Sequence, residues 1–520
     1  MPSPINAVTS SPGRGIATLL HGGWRGHLLA LLAGGTLPLA YAPFDFMFLA
    51  VLAPALLFAL WLQVSPRQAL VRGYLFGVGM FGVGVSWVFV SMYENGGVGL
   101  AMSLFLTSFF VLFLSLFPAV LGYGLARLLP WQHPAARRLK LLLLFPVGWV
   151  LWEWVRGWFF TGFPWLALGY SQIDGPLAGI APVLGVYGVS LAAALSAGWL
   201  VLVLRGGWVW RGAAALGLLL VWGGAAALNN LSWVQPIGQP LKVTLLQGNI
   251  PQDLKWLWDL RDPTLELYTK LTRASWDSDL IVWPETAVPA LYHEVEDFFD
   301  GLAAEANQHG SALLMGVIYQ EPNDGPYYNS VVSVGGATPR QFYHKRHLVP
   351  FTEYLPLEGV LGGLVKFMQV PMSDFSAGDS AAPLAVAGQR AGISICYEDA
   401  FGEETIEALP EATLLVNVTN DAWFGHSIAP QQHLQMARMR ALEAGRPLLR
   451  ATNTGLTAVM DERGRVLSQA PQFEVYALHD TVQPMQGLTP YGRFGNLPVV
   501  TAVLIFMMGG WLMLRRVKPG

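Results

Sequence analysis

The sequence predicts a polytopic α-helical membrane protein that carries a separate α/β domain. Three observations predict it. The chain is 53% hydrophobic and 12% charged, with a mean hydropathy of +0.42. That charged share is about half the ~25% of ordinary soluble domains. Of its 65 Lys, Arg, Asp and Glu residues, 15 fall in positions 1–228 and 50 in positions 229–520. Beyond position 229, strand-like and helix-like patterns alternate, as in layered α/β folds. The net charge of −3 comes with no basic tract of the kind that binds a phosphate backbone, so no nucleic-acid partner is expected.

Stretches near the ~20 apolar residues needed to cross a bilayer number eight: 27–43, 46–63, 70–92, 98–126, 140–157, 181–204, 211–228 and 495–514. The first two are short and read as a tight hairpin. The first is Gly-rich and is followed at once by further spans, unlike a cleaved signal peptide. Basic residues set the orientation. Arg14 and Arg25, Arg67 and Arg72, the group Arg127, Arg137, Arg138 and Lys140, and Arg205 with Arg211 all fall on one side; Arg156 departs. The tail residues Arg515, Arg516 and Lys518 agree. Both termini are expected in the cytoplasm, and seven crossings put residues 229–492 in the periplasm of a bacterium. The expected organisation is a seven-helix membrane domain (1–228), a periplasmic domain (229–492), and a last span with a cytoplasmic tail (493–520).

The periplasmic part is read element by element. "LKVTLLQGNI" (241–250) is a strand and "PTLELYTKLTRASW" (263–276) a helix. "DLIVWPETAVP" (279–289) is a buried strand running into a polar tip, and "HEVEDFFDGLAAEANQHG" (293–310) an amphipathic helix stopped by Gly310. Residues 311–320 and 327–336 are strands joined by a turn with Asn323, Asp324 and Gly325. "GISICYEDA", "ATLLVNVTNDAWFG" and a hairpin around Asp461–Gly464 add strands, and "QQHLQMARMRALEAG" (431–445) is a helix.

Three polar residues stand where strand-like runs end: Glu285, Lys345 and Cys396. Each has a plain structural reading, as a solvated loop carboxylate, a solvated lysine and a small buried hydrophobe. Cys396 is the only cysteine. In an oxidising compartment it has no partner for a disulfide. A thiol is a weak nucleophile at its free pKa of ~8.5 and needs a base. An acyl-transfer intermediate needs a cation or N–H donors at its oxyanion. Carboxylate, ammonium and thiol supply these parts.

The local motifs go further. "QGNIPQDLKW" (247–256), "VWPETAVP" (282–289), "YHKRHLVPFTEYLP" (343–356), "GISICYED" (392–399) and "NVTNDAWFG" (417–425) resemble the nitrilase (carbon–nitrogen hydrolase) superfamily. With the membrane spans around them, they resemble the family of bacterial apolipoprotein N-acyltransferases over nearly the whole chain. The resemblance implies a nitrilase-like α/β/β/α sandwich and a Glu–Lys–Cys triad on Glu285, Lys345 and Cys396. It implies supporting or substrate-binding roles for Glu353, Tyr397, Glu398, Trp256 and Trp423. "PFTEY" stands where the family often has "PFGEY", which leaves the Glu353 carboxylate in place.

The resemblance also implies a reaction. A phospholipid, with phosphatidylethanolamine as the expected donor, acylates Cys396 as a thioester. The α-amine of a diacylglyceryl-cysteine at an apolipoprotein N-terminus then takes the acyl chain, in ping-pong fashion. No metal or other cofactor is expected, because zinc-ligand spacings and a Gly-rich phosphate loop are missing. A monomer in the inner membrane is expected. "LEGVLGGLVKFMQVPM" (357–372) reads as core helix or as a mobile lid on the bilayer; Gly359, Gly362 and Gly363 favour the lid. Glu153 and Arg156 either pair with each other or serve near the lipid site. Two rival functions remain: a membrane-anchored amidase using the same triad on water, and a transporter, which would need more charges within the spans. A Cys–His site with His433 or His426 as base is a chemical alternative.

Overall fold

A computed structural model describes residues 23–128, 134–336, 339–354 and 374–516. The N-terminal part is helical. Among the described residues, three helices are long and apolar enough to cross a membrane: Leu100–Arg127, Pro176–Arg205 and Trp208–Leu228. The pair Pro66–Gly84 and Trp87–Asn95, bent by 49°, makes a fourth if it is one span. The other expected spans are shorter or broken. The first is helix Gly23–Thr36 followed by a 3₁₀ turn Leu37–Ala40 that begins where Pro38 removes a backbone donor. The second is helix Leu49–Leu60, and the last apolar helix is Leu497–Met513. The fifth runs as Pro134–Leu139, a π turn Lys140–Leu144 and Phe145–Arg156.

Small residues let these helices touch. A Cβ on Gly34 would lie 1.9 Å from the Phe76 carbonyl, and one on Gly79 would lie 2.2 Å from the Leu31 carbonyl. Close backbone approach of this kind holds helices together where lipid removes the hydrophobic drive. Helix Ala181–Arg205 is interrupted at Gly185, whose φ of 65° leaves the regular helix.

From Gln235 onward the chain forms strands and helices. One sheet carries Leu241–Gln247, Leu280–Val282 and Ala312–Gln320 as parallel neighbours, with Tyr327–Gly335, Phe342–His344 and Tyr476–Val482 added antiparallel. The second carries Gln389–Ile395, Leu414–Thr419 and Leu448–Thr452 in parallel, flanked by Leu384–Val386, Ala458–Met460 and Val466–Gln469. Alternation along each strand sends side chains to opposite faces. Leu245, Val282 and Leu314 join Ile395, Val416 and Leu449 in one cluster between the sheets. Their neighbours Leu246, Ile281 and Leu313 pack instead with Tyr268, Phe299 and Leu302 of the helices Trp258–Arg273 and Glu296–His309. Leu415 and Leu448 pack with Leu434, Ala437 and Ala441 of helix Ala429–Ala444.

Several expected elements have different limits. The strand expected over 279–289 is two, Leu280–Val282 and Val288–Leu291. Between them Thr286 has a φ of 44°, which no extended strand allows. The helix expected from 263 begins at Trp258 and accommodates Pro263 near its start. Gly310 closes helix Glu296–His309 in the left-handed region, and the Asp461–Gly464 hairpin joins Ala458–Met460 to Val466–Gln469.

The parallel strands of both sheets deliver their carboxyl ends to the site. Beyond Val282 comes Glu285, beyond Ile395 comes Cys396, and beyond Thr419 comes Asn420. The carboxyl ends of parallel strands are where open α/β sheets place ligands. The helical part reaches this region directly. Trp165 Nε1 donates to Gln432 Oε1 (2.7 Å), the Tyr397 hydroxyl to the Gly162 carbonyl (3.0 Å), and the Val186 N–H to Glu443 Oε1 (2.6 Å). That last donor is freed by the break at Gly185.

Candidate active site

Glu285 lies just beyond a strand, in a turn that is buried. Its Oε1 accepts from Asn329 Nδ2 at 2.7 Å and its Oε2 from the Asn420 N–H at 2.8 Å. Lys345 follows strand Phe342–His344 and is 1% exposed. Its ammonium lies 2.9 and 2.8 Å from the two oxygens of Glu353 and 3.9 Å from Glu285 Oε1. Burial alone would lower the Lys345 pKa; Glu353, then Glu285 and Cys396, outweigh it and hold the ammonium charged. Glu353 is itself fixed by the Val349 N–H at 2.8 Å.

Cys396 ends strand Gln389–Ile395 and turns sharply, with φ at 53°. A side chain in this left-handed region costs about 1–2 kcal/mol, so the turn is held from outside. The Cys396 carbonyl accepts from Asn417 Nδ2 at 3.3 Å and lies 3.3 Å from His433 Nε2. The thiol is half-buried. Burial pushes its pKa up, and the charge of Glu285 acts in the same direction; Lys345 and the Thr419 hydroxyl pull it down without prevailing. The resting residue is therefore a thiol, and a thiolate nucleophile at this position would have to be made by proton transfer. Glu285, Lys345 and Cys396 thus stand within electrostatic reach of one another.

Glu398 faces inward. Its carboxylate accepts from the Ile395 N–H (2.6 Å), the Tyr343 hydroxyl (2.9 Å), and the N–H groups of Arg346 (2.7 Å) and His347 (3.1 Å). It ties the Cys396 turn to the Lys345 loop, so a positioning role fits it better than contact with substrate. Burial raises its pKa against the pull of these donors and of Lys345. Tyr397 is anchored at Gly162 and stacks near Trp165. Trp423 lends its carbonyl to Asn95 Nδ2 at 3.1 Å. Trp256 is 51% exposed on the loop after Gln247.

His433 is buried with both ring nitrogens engaged. Nε2 lies 2.8 Å from Asp399 Oδ1; Nδ1 lies 3.1 Å from Asp421 Oδ1 and 2.8 Å from Arg450 Nη2. Burial and Arg450 lower its pKa, but Asp399 and Asp421 prevail and bring it to about 8. The ring meets the Cys396 carbonyl and these partners, so it is poorly disposed to act as base to the thiol. His426 is exposed and packs on Phe473.

Glu153 and Arg156 are buried and turn to different partners. Glu153 accepts from Trp149 Nε1 (2.7 Å) and the Leu168 N–H (2.9 Å), and Arg156 donates to the carbonyls of Phe163 and Trp165. They brace the 157–168 segment that meets Tyr397. The expected lid, 357–372, lies outside the described residues. Among the described residues, no group of three or more His, Cys, Asp or Glu side chains is disposed to hold a metal ion.

Sequence reasoning missed Lys255, Asn329 and Asn420. Lys255 is buried, and its ammonium donates to the Glu285 carbonyl at 3.1 Å and to the Thr286 hydroxyl. Asn329 touches both Glu285 and Glu353, the latter at 3.3 Å. Its signal was present as an amide at the head of the valine-rich strand run Asn329–Val334.

Residues 33–199 match the family described as the apolipoprotein N-acyltransferase N-terminal domain, and residues 242–484 match carbon-nitrogen hydrolase. An apolipoprotein N-acyltransferase of Methylococcus capsulatus is 50% identical over 483 residues, covering 91% of this chain and 93% of that protein. Those of Nitrosomonas europaea and Vibrio cholerae are each 44% identical, covering 93% and 91% of this chain and 97% and 94% of their own.

Proposed function

We propose a reaction course from one premise: this chain belongs to the apolipoprotein N-acyltransferase family. It is an inner-membrane N-acyltransferase of lipoprotein maturation, with a carbon-nitrogen hydrolase fold in its second half. The finer reading is ours. Cys396 is the nucleophile, Glu285 the base, and Lys345 with the Tyr397 N–H the oxyanion partners. Glu353 holds Lys345.

In the first half-reaction Sγ attacks the ester carbonyl of a phospholipid, taken to be phosphatidylethanolamine. The S–C bond forms and the ester C–O bond breaks. The thiol proton goes to Glu285 and from there to the departing lysophospholipid oxygen. In the second, the α-amine of a diacylglyceryl-cysteine attacks the thioester. The N–C bond forms, the C–S bond breaks, and the amine proton passes through Glu285 to the sulfur. The observation that carries this reading is the clustering of the three groups: Lys345 Nζ lies 3.9 Å from Glu285, and both act electrostatically on a thiol held protonated.

We read the two sheets and their outer helices as an α/β/β/α sandwich, residues 229–492, between a seven-span domain (1–228) and a last span (493–520). All eight apolar segments cross the membrane in this reading. The termini are cytoplasmic, the catalytic part is periplasmic, and the protein acts as a monomer. Basic residues concentrated on one side support the orientation. The contacts of Tyr397 with Gly162 and of Gln432 with Trp165 support a site that opens toward membrane lipid.

Glu285→Gln tests the chemistry. The amide keeps the shape and cannot take the proton, so no thioester should accumulate on Cys396. Thioester formed at the wild-type rate would assign the base to another group.

A further inference from the structure

Lys255 is a buried cation beside the site to which the reaction above gives no task. Lysine is seldom buried without a charged partner, and the loop around this one is otherwise open. The next residues, Trp256, Leu257 and Trp258, are half or more exposed, whereas Lys255 is 4% exposed. Among the described residues, its ammonium is not paired directly with a carboxylate. It donates instead to the backbone carbonyl of Glu285 and to the hydroxyl of Thr286.

The turn it grips needs holding. Thr286 is β-branched and sits at a φ of 44°, where such residues are rare. The turn also presses on a neighbouring strand. A Cβ on Gly316 would lie 2.2 Å from the Pro284 carbonyl and 2.5 Å from the Thr286 nitrogen. One strained turn therefore presents the base, and Lys255 is fastened to two of its atoms.

We propose that Lys255 is a positioning residue for the Glu285 base: it holds the Glu285–Thr286 turn and keeps a second positive charge, besides Lys345, beside the base that serves Cys396. This rests on the reading of Glu285 and Cys396 given above. Among the described residues, the titratable groups whose charge acts on Lys255 are Glu285 and Cys396. Burial lowers the Lys255 pKa to about 8, with Glu285 and Cys396 opposing. Above that pH the amine can still hydrogen-bond but no longer supplies its field.

The test uses the full-length protein in detergent micelles. Cys396 is the only cysteine, so iodoacetamide reports on one thiol by intact mass. Lys255→Met keeps the chain length and removes charge and donors. Alkylation at pH 7 should slow by about tenfold, the effect of moving a thiol by about one pKa unit when a nearby cation is lost. The gap to wild type should shrink as pH rises through about 8. Thr286→Val keeps the shape, removes one acceptor, and should show a smaller effect in the same direction; it serves if the Met variant does not fold. Wild-type rates in these variants would overturn the proposal, as would equal slowing at every pH, the sign of a structural role only. Failure of the base assignment would show separately, as wild-type turnover in Glu285→Gln, and would leave the alkylation result standing.

Discussion

Replacing Lys345 by Arg keeps the charge and tests whether its direction matters. The ammonium sits in a fully enclosed space, 1% exposed, between the two oxygens of Glu353 at 2.9 and 2.8 Å and Glu285 at 3.9 Å. Asn329 closes the same space, 2.7 Å from Glu285 and 3.3 Å from Glu353. A guanidinium is a broad planar fork that prefers to meet a carboxylate with two parallel bonds. With Glu353 as its first partner it would bind there and turn from the acyl oxygen. Loss of one oxyanion donor costs about 10²–10³ in rate, roughly 2.7–4 kcal/mol. Forcing the larger group into the space costs a further ~1–3 kcal/mol of stability. Single-turnover acylation of Cys396 and the thermal midpoint separate the two effects. The expected outcome is acylation slowed by about two to three orders of magnitude in a protein that still unfolds cooperatively. Wild-type acylation by Lys345→Arg would refute the reasoning, since a bulk positive charge would then suffice.

Three further outcomes are expected. Glu398→Gln removes the charge that gathers four donors from the 343–347 segment and Ile395; at about 1.5–3 kcal/mol for a hydrogen bond to a charged group, it should lower the thermal midpoint and activity together, and unchanged stability would show the carboxylate to be a substrate contact instead. His433 has a folded pKa of about 8, above the ordinary histidine value of 6.5, so its contribution, about 2 kcal/mol for such a shift, is complete below pH 6.5 and is lost as pH rises through 8. Denaturation of wild type and His433→Gln between pH 6 and 8 should show the wild-type advantage fading, and a constant difference would contradict it. A periplasm-specific reporter fused after Ser232 should be active and one fused at Gly520 inactive; the reverse would overturn the orientation.

The site was legible where residue type and strand end coincide. Glu285, Lys345 and Cys396 each follow a strand-like run, and the structure brings the three together. Lys255 was not legible, because a lysine followed by Trp256 in a polar loop reads as solvated, and only the folded turn puts its ammonium on the Glu285 carbonyl. Glu398 reads as a supporting or substrate-binding residue beside Cys396. Its inward orientation depends on the left-handed turn at Cys396, which no side-chain pattern announces. Glu153 and Arg156, three apart on one helix, read as a pair, yet carbonyls and N–H groups freed in the irregular 157–168 segment compete for both. Hydropathy found the apolar segments but not their breaks at Leu37–Ala40 and Gly185, which arise from proline and glycine geometry.

The central claim is that Cys396 carries the acyl chain as a covalent intermediate. Its most direct measurement is the intact mass of the purified protein after incubation with phosphatidylethanolamine vesicles and no acceptor. The expected result is one added acyl mass that hydroxylamine removes and that prevents alkylation of Cys396, with no such adduct in Cys396→Ala. An unmodified mass under conditions where added apolipoprotein is acylated, or an adduct that persists in Cys396→Ala, would contradict it.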